Sequence, residues 1–256
     1  MKFYYINTNQ NTGKYNMDFD NNLAENCKPG EFYFRLYKWN PYCISLGANQ
    51  NYEYVNINKV IENEIDIVKR STGGKAILHS EELTYSVVSS TKDQKSAHNF
   101  YNVINKALRS GLIIYDELLN KIELESTQPN FPKIYNEVKG NVCFSSTAKS
   151  ELKFNGKKLV GSAQRKLGNN LLQHGSILCG SNHKKLIDYL ILTEEEKAEL
   201  KFQLNMVTTD LRSILKEEID YSKLENSILK GFEKYFGITF NEFFSNYENS
   251  ELTKAY

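Results

Sequence analysis

Residues 143–178 read CFSSTAKSELKFNGKKLVGSAQRKLGNNLLQHGSIL, and the turn signals in this run decide the fold. Glu151 to Phe154 alternates polar and apolar residues. Asn155-Gly156 follows, the strongest short hairpin signal, because a type I′ turn needs positive φ at both central residues. Lys157 to Ala163 returns as a second strand, and a turn near Gly168-Asn169-Asn170 leads into a third, Leu171 to Leu178. The run predicts a three-stranded meander.

With Asn155 and Gly156 at the turn, Phe154 pairs with Lys157, Lys153 with Lys158, and Leu152 with Leu159. Side chains alternate between faces of a strand. Leu152, Phe154 and Leu159 therefore share a core-facing side, and Glu151, Lys153, Lys158, Val160 and Ser162 share the other. Two lysines placed directly opposite repel. Either both are solvated on the surface, or one answers to a partner outside the hairpin. Lys158 is the closer of the two to the small residues Gly161, Ser162 and Ala163.

The whole chain has 256 residues, a formal net charge of +1, 40% hydrophobic residues and 12% aromatics. That composition supports a sizeable core. The balanced charge argues against a nucleic-acid binder, which is normally strongly basic. The four cysteines, Cys27, Cys43, Cys143 and Cys179, form no close pair. Zinc and a disulfide scaffold are therefore poor readings, and a reducing compartment a better one. No apolar run follows a basic start, and none approaches the ~20 residues of a membrane span. The expectation is a cytoplasmic protein with no membrane or nucleic-acid partner and no metal.

Along the chain, strands are predicted at Phe3–Ile6, Phe32–Tyr37, Tyr42–Leu46, Ile65–Arg70, Lys75–His79 and Glu82–Val88. Asn16–Cys27 reads as a helix with Met17, Leu23 and Cys27 on one side, and Asn58–Asn63 as a short one. Ser96 is a good N-cap for a helix to Ser110, where Gly111 reads as a stop. Residues 116–142 lack periodicity, with Pro129 and Pro132 as breakers, and read as a functional loop leading to Cys143. Beyond Gly180 the pattern turns helical: His183–Leu192, a capping box at Thr193–Glu196, Thr209–Leu215, and a last helix capped by Asp220 and ended by Gly237. Strands early and helices gathered late indicate an α+β fold with a mixed, largely antiparallel sheet flanked by helices.

Several runs carry a resemblance. KKLVGSAQ (157–164) followed by LQHGSIL (172–178), with Cys143-Phe144 fifteen positions before Lys158, resembles the cysteine-dependent octanoyltransferases of lipoate assembly. These belong to the lipoate–protein ligase and biotin–protein ligase superfamily. The run RSTGGKAILHSEELTYSVV (70–88) is similar to that family's Arg-x-Thr-Gly-Gly-x-Ala-x-x-His block, and its Glu-Leu-Thr-Tyr ending is the form the octanoyltransferases carry. The family's Asn-Met-x-x-Asp helix is matched by Asn16, Met17 and Asp20, and RLYKWNPYCISLGANQ (35–50) is similar to its opening hairpin. One departure is Lys69-Arg70, where the family has two arginines. Lysine keeps the charge and loses the planar fork.

The resemblance implies a biotin/lipoate–protein ligase-like catalytic domain over 1–256, without a C-terminal accessory domain. It implies an octanoyl group passed from acyl carrier protein to Cys143, then to a lysine of a lipoyl-domain protein, such as glycine-cleavage H protein or a 2-oxoacid dehydrogenase E2. An incoming thioester is already activated, so no cofactor is needed. Cys143 and Lys158 are the expected catalytic pair, the lysine steadying the thiolate and the oxyanion or moving a proton. Arg70, Thr72, Gly73, Gly74, His79, Gly161, Ser162, Ala163, His174 and Gly175 are the expected substrate-binding residues. Competing readings are an ATP-dependent lipoate–protein ligase, an octanoyl amidotransferase between lipoyl-domain proteins, and a non-catalytic lipoyl-domain binder.

Overall fold

The computed structural model describes residues 1–90, 96–125 and 151–242, with residues 96–98 and 242 described by their backbone alone. Cys143 and the loop predicted around it lie outside the described residues. The chain runs β1 (Lys2–Asn11), α1 (Gly13–Asn26), β2 (Glu31–Trp39), β3 (Cys43–Leu46), α2 (Ile57–Glu62), β4 (Asp66–Lys69), β5 (Ile77–His79) and β6 (Glu82–Ser90). After α3 (Ser96–Tyr115) come β7 (Ile122–Leu124), β8 (Leu152–Phe154), β9 (Lys157–Lys158), β10 (Val160–Leu167) and β11 (Asn170–Leu178). A 3-10 helix (Asn182–Tyr189), α4 (Glu194–Val207), α5 (Leu211–Leu215), α6 (Tyr221–Phe236) and β12 (Asn241–Glu242) complete it.

A six-stranded mixed sheet in the order β10-β11-β6-β2-β1-β12 forms the centre. Its β10, β11, β6 and β2 pair antiparallel, and β1 pairs parallel with β2 and β12. Alternation in β2 sends Phe32, Phe34 and Leu36 to one face, where they pack with Ile104 and Leu108 of α3 and Ile228 and Phe232 of α6. Phe34 and Phe232 stack at 4.0 Å between ring centroids. Tyr33 faces the other way and meets Phe19, Leu23 and Ala24 of α1. Each fully buried side chain of this size contributes roughly 1.5–3 kcal/mol, so the two apolar faces fix a three-layer order: helix pair, sheet, helix. Two smaller sheets, β4-β3-β5 and β7-β8-β9, flank it.

The mixed sheet with flanking helices matches the predicted class, and the hairpin register holds: Lys153 faces Lys158 and Phe154 faces Lys157. Asn155 and Gly156 both take positive φ, +48° and +75°. The meander itself is corrected. Its first hairpin belongs to the small β7-β8-β9 sheet, whereas β10 and β11 belong to the large one. Alternation fails at Leu159: Leu159 and Val160 are both buried in one core. Glu151 and Lys158 are buried as well, which removes the reading of two solvated lysines. A second correction concerns Gly111, which does not end its helix but lies inside α3. A Cβ on Gly231 would stand 2.1 Å from the Gly111 nitrogen, so the two glycines let α3 and α6 touch backbone to backbone.

Candidate active site

A narrow pocket opens between the sheets. Met17, Tyr37, Trp39 and Ile77 supply apolar lining, and Gly161, Ser162 and Ala163 of β10 lie beside His174 and Gly175 of β11 in its wall. Those last two strands pair antiparallel, with Ser162 opposite Gly175 and Ala163 opposite His174. A Cβ on Gly175 would come within 2.3 Å of the Gly161 carbonyl oxygen, so only glycine fits that wall.

Lys158 lies just before β10. Its ammonium sits 3.0 Å from Glu151 Oε1, with both side chains buried. The same carboxylate oxygen accepts from the Ser162 backbone N–H at 3.4 Å, so Glu151 ties the lysine to the pocket rim. Ser162 Oγ meets the Tyr85 hydroxyl at 2.6 Å, Gln173 Nε2 donates to Tyr85 Oη at 3.0 Å, and Tyr101 donates to the Ser162 carbonyl at 3.3 Å. Burial pushes both tyrosine hydroxyls above their ordinary range, so they act as neutral hydrogen-bonding groups.

The predicted ligand contacts divide. Arg70, His79, Gly161, Ser162, Ala163, His174 and Gly175 all line the pocket. Arg70 nevertheless directs its guanidinium inward: Nη1 donates to the Ser45 carbonyl and Oγ, and Nη2 to the carbonyls of Gly73 and Lys75. It shapes the loop that carries Thr72, Gly73 and Gly74, which do not line the pocket. Thr72 Oγ1 is 2.6 Å from His174 Nε2. The Gly74 carbonyl oxygen lies where a Cβ on Gly47 would fall, 1.9 Å away, so that loop packs flat on the chain after β3.

His79 stacks on Trp39 at 4.0 Å, donates from Nδ1 to Glu82 Oε1 at 2.7 Å, and meets Ser45 Oγ at 2.8 Å through Nε2. Both ring nitrogens are thus committed within the protein. Glu82 also accepts from Thr84 and Ser176. Burial works against its charge, but His79 and these hydroxyls outweigh burial and hold the carboxyl below its usual range. His174 is held below its usual value by burial, against the pull of Asp20, whose Oδ2 is 3.6 Å from Nδ1. Asp20 in turn pairs with the fully buried Arg35 at 2.8 Å, and Asn16 Oδ1 accepts from the same guanidinium at 2.6 Å. The Asn16–Asp20 motif is therefore a clamp on Arg35 that also presents Met17 to the pocket.

Cys27, Cys43 and Cys179 are buried free thiols. Burial pushes Cys27 up to about 11 and Cys179 to about 12, and Cys43 well above the ordinary range. None of the three is poised as a thiolate. Among the described residues, no cluster of His, Cys, Asp and Glu is arranged to hold a metal ion, and no helix is long and apolar enough to cross a membrane.

Residues 12–233 match the lipoyl protein ligase A/B catalytic domain. The chain belongs to that family. Among relatives, an octanoyltransferase LipM of Staphylococcus aureus is 32% identical, over 90% of this chain and 85% of its own. One of Macrococcus caseolyticus is 31% identical, over 94% and 90%. The fold superposes on a bipartite lipoate protein ligase from Thermoplasma acidophilum with a TM-score of 0.76 at 18% identity, covering 99% of this chain and 91% of that one. In this lipoyl protein ligase A/B chain, sequence reasoning missed Glu151, Tyr85, Tyr101 and Gln173. Glu151 carried a signal: it falls on the same hairpin face as Lys158 and has the opposite charge.

Proposed function

We propose that the protein is an octanoyltransferase of lipoate assembly. It takes the octanoyl group from octanoyl acyl carrier protein, holds it as a thioester on Cys143, and delivers it to a lysine of a lipoyl-domain protein such as glycine-cleavage H protein or a 2-oxoacid dehydrogenase E2. The observation that supports this most is the buried Lys158–Glu151 pair at the rim of a narrow, largely apolar pocket, in a chain 31% and 32% identical to two octanoyltransferases over most of its length. The role of Cys143 rests on its spacing from Lys158 and on the inert state of the three other thiols.

The chemistry balances without ATP. The Cys143 thiolate attacks the donor's carbonyl carbon, the new C–S bond forms, and the carrier's sulfur leaves and takes a proton. The acceptor amine then attacks the same carbon, the amide C–N bond forms, the Cys143 C–S bond breaks, and the amine's proton ends on the thiol. Lys158, fixed by Glu151, is the cation that steadies the thiolate and the oxyanion of each tetrahedral intermediate. Met17, Tyr37, Trp39 and Ile77 give the acyl chain an apolar bed.

Incubation with octanoyl acyl carrier protein is expected to add one octanoyl group to the intact mass, released by hydroxylamine. Cys143→Ala is expected to gain none, and Cys143→Ser to trap a hydroxylamine-resistant ester. No adduct on the wild-type chain overturns the reading. An absolute need for ATP with free lipoate, at full activity in Cys143→Ala, points instead to a ligase.

A further inference from the structure

Away from the pocket, an open groove runs between α3, β7 and α6. Lys106 and Arg109 stand along one side on α3, and Lys234 stands across from them on α6. Ile113, Ile114 and Leu124 supply apolar surface between these cations, and Tyr235 adds an aromatic edge. Ile114 and Tyr235 are exposed. Arg109 donates to the carbonyls of Ile122 at 2.7 Å and Asn120 at 2.9 Å, which fix its position without neutralising it. Among the described residues no carboxylate pairs with Lys106, Arg109 or Lys234, and Glu123 is the one acidic residue of the lining.

Two basic rails over an apolar floor complement an amphipathic helix with acidic flanks. The groove is also joined to the site. Leu124 pairs with Leu152 on β8, and the next residue, Glu125, donates its N–H to the Glu151 carbonyl at 2.8 Å. Glu151 is the residue that holds Lys158.

We propose that this groove docks the acyl donor's carrier protein through an acidic helix. The inference rests on the octanoyltransferase reading and names where that reaction's protein donor sits. A lipoyl-domain acceptor and a second copy of this chain are the rival occupants.

The test measures the affinity of octanoyl acyl carrier protein for the wild-type chain, Lys106→Glu/Lys234→Glu and Ile114→Ser, at low and high salt, with thermal unfolding as the control for folding. The double charge reversal is expected to weaken binding about tenfold or more and to flatten its salt dependence. Ile114→Ser is expected to weaken binding at every salt concentration. Unchanged affinity in the folded double variant overturns the proposal, as does loss of lipoyl-domain binding or of self-association in place of carrier binding. Binding is read without turnover, so the two readings separate. Carrier binding that depends on these lysines, with no octanoyl adduct, supports the groove and sinks the transferase. Equal carrier affinity and equal adduct formation in the double variant sink the groove and keep the transferase.

Discussion

Lys158 Nζ stands 3.0 Å from Glu151 Oε1, and both side chains are almost wholly withdrawn from water. Removing one member of such a pair strands the other charge, at a typical cost of about 3–5 kcal/mol. Replacing both by apolar residues of similar size costs far less. Glu151→Leu and Lys158→Met are therefore expected to lower unfolding free energy by about 3 kcal/mol each, and the double variant by clearly less than their sum. Denaturant unfolding of the four proteins checks this; strict additivity would deny the pair its coupling.

Gly175 and Gly73 give opposite expectations for the same change. A Cβ at Gly175 meets the Gly161 carbonyl oxygen at 2.3 Å and a Tyr85 ring carbon at 2.8 Å, whereas at Gly73 it meets nothing within 4 Å. Gly175→Ala is expected to force β10 and β11 apart at the pocket wall, costing about 1–3 kcal/mol as overpacking does, and to reduce acyl transfer sharply. Gly73→Ala should leave stability within about 0.5 kcal/mol of wild type, as at an open site. Thermal melts and a single-turnover assay on both variants distinguish the cases.

The helix pair is tested at Gly231. A methyl there would lie 2.1 Å from the Gly111 nitrogen and 2.3 Å from its Cα. Backbone cannot swing aside as a flexible side chain does, so α3 and α6 must separate and loosen the Phe34–Phe232 stack. Gly231→Ala is expected to destabilise by about 2–3 kcal/mol, although alanine is the better helix former. A gain in stability would show that the close approach carries no packing role.

His183 sets a pH window. Burial holds it to about 4, against an ordinary 6.5, with its nitrogens 3.1 Å from the Gly180 carbonyl oxygen and 3.0 Å from Thr208 Oγ1. The unfolded chain takes the proton first. The contribution is therefore complete above about 6.5 and is lost as pH falls toward 4, reaching roughly 3 kcal/mol. His174 adds in the same sense. Asp20 and Glu82 are held below ordinary values of 3.8 and 4.5, so their stabilisation fades only in more acid solution. Urea melts between pH 7.5 and 4.5 should slope less for His183→Gln than for wild type; parallel slopes would contradict the assignment.

Much of this arrangement was legible because its causes are local. The Asn155-Gly156 turn fixes which residues face each other, so the Lys153–Lys158 opposition could be read in advance. Its resolution was legible for Lys158, whose hairpin face Glu151 shares, and not for Lys153. Lys153 answers to Glu125 and Lys158 to Glu151, and Glu125 arrives only with β7, from the far side of a long connection. Gly111 was misread because a helix stop and a close helix crossing ask for the same residue, and only the distant Gly231 decides between them. Arg70 and His79 do reach the pocket, but their polar atoms serve Ser45, Gly73, Lys75 and Glu82. A motif shows which residues gather and leaves open the direction in which each one points.

The hairpin leaves the small sheet at Lys158 and joins the large one at Val160, with Leu159 as the single rung between them. Ammonium and pocket wall are thus neighbours along one backbone, two positions from strand to strand. A shift of this backbone moves both together. A lineage that reshapes this crossing displaces the buried ion pair in the same stroke.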